Sequence, residues 1–88
     1  MFLTFDCVKK GSKRFIVTHV DDSDPKDILY TCVQDNQDVR EVVNNIKQFE
    51  FVAYSNYFEY VDVADVLTER FPTSFTFKAS ELKFVEAL

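Results

Sequence analysis

The sequence has no tryptophan, one methionine, one glycine, two prolines and one histidine. Without Trp and with so little Met, the ten phenylalanines must supply most of the bulk that a core needs. A single Gly excludes a glycine-rich phosphate loop and allows few tight turns. No His-Glu-x-x-His pattern and no cysteine quartet is present, so the spacings typical of bound zinc are missing. No apolar run approaches the roughly 20 residues of a membrane span. The N-terminal "MFLTFDCVKK" places its bases after the short apolar stretch, the reverse of a signal peptide. These absences predict a soluble, cytoplasmic chain without cofactor or metal. In that setting Cys7 and Cys32, which form no Cys-x-x-Cys pair, are expected as reduced core thiols, although spacing alone leaves a disulfide open.

What is present suits a single domain over residues 1–88. The chain is 47% hydrophobic and 16% aromatic, a globular composition, and it shows no internal repeat or low-complexity tract. Net charge is −5, unevenly spread. Lys9, Lys10, Lys13 and Arg14 place four of the ten bases within six residues, which leaves six bases against 15 acids elsewhere, or −9. An acidic body with one basic tip disfavours general affinity for nucleic acid or anionic lipid and favours a basic protein partner.

Residues 2–20 read as two strands joined at Lys10-Gly11-Ser12-Lys13, with the lone Gly where a positive φ is easiest. Leu3, Phe5 and Cys7 would share one face, and Phe2, Thr4, Asp6 and Val8 the other. Both faces are partly apolar, so helices should cover one and some other segment the second. In residues 21–27, Asp24 and Pro25 form a helix-start signal. Residues 27–34 carry both helical and β features, and Tyr, Thr and Val favour a third strand.

Val39, Val42, Val43, Ile46 and Phe49 recur at helical spacing, predicting a helix over 36–48 capped by Asp35 or Asn36. Residues 49–54, "FEFVAY", suit a strand, as does "SFTFKA" at 74–79; residues 80–88 fit either a strand or a short helix.

Residues 55–72 hold four aromatics and four carboxylates. Read as a helix over 56–71, the segment has Asn56 and Glu59 as a capping box and Pro72 as its stop. Tyr60, Val61, Ala64, Leu67 and Phe71 then turn toward the core, and Glu59, Asp62, Asp65 and Glu69 toward water. A hairpin turning at Ser55-Asn56 is the rival arrangement. The helix is preferred, because it segregates all four acids. The expected fold is therefore α+β: a small, mostly antiparallel sheet, formed by the N-terminal hairpin and two or three further strands, with two helices packed on one face.

No motif fixes a reaction. His19 on an alternating strand is expected to be structural. Residues 21–27 resemble a calcium loop only until position 27, where Asp stands in place of the required Gly. The function expected is thus non-enzymatic: a small acidic protein-binding module. Glu59, Asp62, Asp65 and Glu69 would meet Lys or Arg of a partner, with Phe58 and Val66 as apolar anchors. A row of carboxylates of this kind can compete with a polyanion, so the module is a candidate inhibitor of a basic groove. The alternative is a weak nucleic-acid contact, or a structural or homo-oligomeric role, through the tip formed by Lys9, Lys10, Lys13 and Arg14. A homodimer would hide a Phe-rich sheet edge.

Overall fold

The first reversal of the chain lies at Gly11, whose φ of 62° lets β1 (Asp6–Lys10) and β2 (Lys13–Asp21) pair through a two-residue connection. The computed structural model describes the backbone of residues 1–55 and 63–88, and the side chains of 1–48 and 66–88. Strand β1 begins at Asp6 instead of the expected residue 2, because residues 3–6 form a turn. The Asp6 N–H donates to the Leu3 carbonyl at 3.0 Å, and the Leu3 N–H donates to the Asp6 carboxylate at 2.7 Å. Phe5 sits within this turn at φ 72°, a left-handed conformation that costs a residue with a side chain about 1–2 kcal/mol. Burial of its ring in the core offsets that strain.

The helix-start signal at Asp24-Pro25 makes a turn, not a helix. Asp24 accepts from Lys26 N–H through its carboxylate and from Asp27 N–H through its carbonyl, both at 3.0 Å. Asp21 likewise accepts from Ser23 N–H and Oγ. Aspartates in this loop close Asx turns, leaving the chain extended by Leu29. The expected third strand follows as β3 (Leu29–Gln34).

Helix α1 (Gln37–Ser55) starts where expected, with Asn36 Oδ1 accepting from Val39 N–H at 2.9 Å. It continues past residue 48, so the strand expected at 49–54 is helix, and the rival hairpin about Ser55-Asn56 loses its first strand. Neither Gly nor Pro interrupts residues 37–55, and once nucleated a helix extends at little cost through residues of modest β preference. Helix α2 (Val63–Arg70) lies within the expected 56–71 and ends before Pro72. The capping box at Asn56 and Glu59 lies outside the described residues. Strand β4 (Phe75–Lys78), a 3₁₀ turn (Ala79–Glu81) and β5 (Lys83–Ala87) complete the chain, so residues 80–88 are mainly strand.

The five strands run in the order β4-β3-β2-β1-β5, every pairing antiparallel. The edge strands β4 and β5 are nevertheless consecutive in sequence. A flat sheet would hold them about 19 Å apart at ~4.8 Å per strand. The five steps from Lys78 to Lys83 reach at most about 18 Å even when straight, and a 3₁₀ turn shortens them further. The sheet must curl. Phe15 on β2 accordingly meets Phe77 on β4 with ring centres 4.9 Å apart, and Lys10 Nζ on β1 lies 4.8 Å from the same ring. Two irregularities in register, between Val17 and His19 on β2 and beside Cys7 and Val8 on β1, sharpen the twist.

Curling gives each face its own core. On one, Phe5, Cys7, Ile16 and Val33 pack against Val39, Val43 and Ile46 of α1 and Leu67 of α2. Both helices thus cover a single face, as expected. On the other, Val8, Phe15, Val17, Tyr30 and Cys32 are closed over by Leu82 and flanked by Phe2 and Phe77. The returning chain after β4 is the second cover that the sequence required without naming. The Tyr30 hydroxyl, fully buried, accepts from Phe2 N–H at 3.0 Å and pins the N-terminal segment there.

Candidate functional site

On α2, Leu67 is wholly buried in the helix-side core and Phe71 packs against it. Val66, one position before, is 41% exposed, and Glu69 is exposed. Residues three apart lie on the same side of a helix, so Val66 and Glu69 are neighbours on the wet side, as the helical reading requires. Among the described residues, neither side chain makes an ion pair or hydrogen bond that would occupy that side. Phe58, Glu59 and Asp62 lie outside the described residues. Asp65 belongs to α2, its side chain being outside the described set.

Below α2 a shallow cleft of about 240 Å³ opens between Arg70, Phe71, Pro72, Asn36, Val33 and Phe75. Among the described residues lining it, Arg70 is the only ionisable one, and no acid–base pair is seen among them.

All four bases of the hairpin tip are exposed. Lys10 is not free: its Nζ lies 3.4 Å from Glu81 Oε1. Register brings in a fifth cation that sequence proximity could not show. Lys9 is paired with Arg14 on one side and with Lys83 of β5 on the other, and Lys10 is paired with Lys13.

A second unforeseen cluster joins β5 to α1. Arg40 of α1 donates from Nε and Nη2 to the two carboxylate oxygens of Asp35, both at 2.8 Å, and from Nη1 to Glu86 Oε1 at 2.7 Å. Arg40 holds the Asp35 carboxyl below the usual carboxylate range, and the two acids raise the guanidinium in return. Cys7 Sγ donates to Asp35 Oδ2 at 3.6 Å and lies 3.7 Å from Arg40 Nη2. Burial, with Asp35 beside it, pushes this thiol up despite the arginine. That is the reverse of what an activated cysteine needs. The cluster therefore acts as a clamp among β1, β5, the β3–α1 link and α1.

Cys7 belongs to the helix-side core and Cys32 to the opposite one, so the sheet separates the two sulfurs, which are free and buried. Burial raises Cys32 to about 12. Neither thiol should react with Ellman's reagent at mildly alkaline pH in the folded protein, and both should react on addition of denaturant. Fast labelling of either one without denaturant would contradict this packing.

His19 lies beside the β2 irregularity. Thr18 Oγ1 donates its one proton to the Thr31 carbonyl at 3.0 Å, which makes His19 Nδ1, 3.0 Å away, the donor to that oxygen. Among the described residues no group of three or more His, Cys, Asp or Glu is arranged to hold a metal ion. Among them, too, no helix is long and apolar enough to cross a membrane.

Comparison with known proteins returns no match: no family model fits the sequence, and no curated protein or solved structure matches the chain.

Proposed function

We infer that this chain is a non-enzymatic protein-binding module that presents the outward side of α2 to a partner with a basic surface. The observation that carries the reading is the division of α2. Leu67 is wholly buried, whereas Val66 and Glu69 stand together in water. An apolar side chain with a charged neighbour on an exposed helix face is the composition of a small interface with a polar rim. The sequence-based expectation adds Phe58, Glu59, Asp62 and Asp65 to the contact, and such a row of carboxylates would let the module occupy a basic groove in place of a polyanion. Recognition of this kind is fast, orientation-dependent and weakened by salt.

The test is affinity capture with the wild-type chain, with Glu69→Lys, with Val66→Asp and with the double variant Asp62→Lys/Asp65→Lys. A partner held by the wild type at low salt should be released by moderate salt and lost from all three variants. A partner retained equally by all four proteins rules out this face.

A further inference from the structure

The paired strands place like charges opposite one another three times at one end of the sheet: Lys9 with Arg14, Lys9 with Lys83, and Lys10 with Lys13. Strand alternation sorts them between two faces. Lys9 lies two residues after Cys7 and Arg14 two before Ile16, both buried in the helix-side core. Arg14, Lys9 and Lys83 therefore form one row across β2, β1 and β5 on that face. Lys10 and Lys13 share the opposite face with Val8 and Phe15.

Lys9 is the unusual member of the row, because it sits on an interior strand with a cation directly opposite it on each side. Directly opposed like charges destabilise a sheet. Two acids do lie on the same face. Asp35 follows β3 beside Arg14, its N–H donating to the Arg14 carbonyl, and Glu86 is opposite Cys7, the next position on that face of β1. Both are turned to Arg40, which binds the two Asp35 oxygens and Glu86 Oε1. Among the described residues the exposed Lys9, Arg14 and Lys83 make no ion pair. The clamp thus occupies the neighbouring acids and leaves the row unneutralised. Natural sequences break local rules of this kind chiefly at functional sites.

The kind of anion that would relieve the repulsion follows from count and spacing. Neighbouring strands are ~4.8 Å apart, so the three cations span about 10 Å. A single carboxylate would leave two of them opposed, whereas a short chain of phosphate groups carries several charges within that span. The exposed rings of the edge strands lie on the other face, Phe84 being opposite Val8 and Phe75 packed on Phe15. The row offers charge and N–H donors, which suit phosphate oxygens and nothing apolar.

We propose that Lys9, Arg14 and Lys83 form a binding site for a compact oligophosphate, recognised through its phosphate groups alone. This goes beyond the protein-binding reading and uses none of its residues, so either can fail without the other.

The probe is inorganic triphosphate, titrated by calorimetry at low salt and neutral pH. It should bind the wild type at one site per chain, about tenfold or more tighter than orthophosphate, which meets fewer of the cations at once. ATP should bind no more tightly than the inorganic chain, because the exposed rings that could receive its base are on the other face. Lys9→Gln/Lys83→Gln should weaken triphosphate binding by about tenfold or more, through loss of two charge-assisted contacts. Lys10→Gln/Lys13→Gln removes the same charge from the same end but from the other face, and should weaken binding by less than about threefold. Without anion, Lys9→Gln/Lys83→Gln should melt at a higher temperature than the wild type, because repulsion has been removed; this also shows that it is folded. Added triphosphate should raise the melting temperature of the wild type and leave that of this variant unchanged. No binding at low salt, equal losses in the two double variants, or a preference for ATP would each overturn the assignment. So would a lower melting temperature of Lys9→Gln/Lys83→Gln in the absence of anion.

Discussion

Leu67→Ala is expected to cost about 3 kcal/mol, the middle of the range for emptying a fully buried leucine site. Leu67 has no exposed surface and, among the described residues of α2, is the wholly buried side chain in the helix-side core, beside Val39, Val43 and Ile46 of α1. In a domain whose total stability is on the order of 5–10 kcal/mol, such a loss should lower the melting temperature by roughly 12–24 °C. Val66→Ala is the internal control. One position away on the same helix but 41% exposed, it should change stability by no more than about 0.5 kcal/mol. The contrast bears on function as well as packing, because the proposed recognition face has a fixed orientation only while Leu67 anchors its helix. Two variants with similar melting temperatures would mean that α2 is not seated on the sheet, and the division of its two sides would lose its meaning.

Local features of the fold could be read from the residues, and non-local ones could not. The hairpin about Gly11 announced itself because one residue supplied the positive φ and β-rich residues flanked it. The Asn36 cap was legible for the same reason, since capping is a contact across three residues. The extension of α1 through 49–55 was not, because Phe, Val and Tyr carry a β preference that neighbouring turns of helix outweigh. The curl of the sheet was hidden altogether. It follows from a short link between two strands at opposite edges, a fact of pairing order that no window of sequence contains. The same blindness covered the candidate sites. Lys83 joins the basic tip only through the β1–β5 register, and Glu86 reaches Arg40 only because β5 lies beside β1. Val66 and Glu69, three residues apart on α2, are both exposed, a relation that periodicity alone expresses.

Net charge and the local layout of charge act at different distances from the molecule. A net charge of −5 describes the field far from the molecule, where it discourages polyanions. Within about 8–10 Å, the screening length at physiological salt, a ligand at the hairpin end meets the local row of cations instead.

Removal of the Arg40 guanidinium should produce the second large effect, and one with a pH signature. In Arg40→Met, Asp35, whose side chain is only 8% exposed, loses its bidentate partner, and Glu86 loses its contact as well. A nearly buried carboxylate left without its cation should cost about 2–3 kcal/mol at neutral pH. The sign of the pH dependence follows from Asp35, which Arg40 holds below its unfolded value. A depressed carboxyl contributes stability that is fully present above the unfolded pKa, near 3.9, and is lost as pH falls through the folded value. Wild-type stability should therefore be level near neutrality and decline below about pH 4. Asp21 and Glu81, also lowered by their hydrogen bonds, add to the same decline in both proteins and cancel in the comparison. In Arg40→Met the Asp35 contribution is absent, because an unpaired buried carboxyl gains from protonation. Urea titrations of the two proteins should differ most at neutral pH and converge in acid. A difference that stays constant from neutral pH to about pH 3 would show that Arg40 acts through the packing of its aliphatic stem and not through charge.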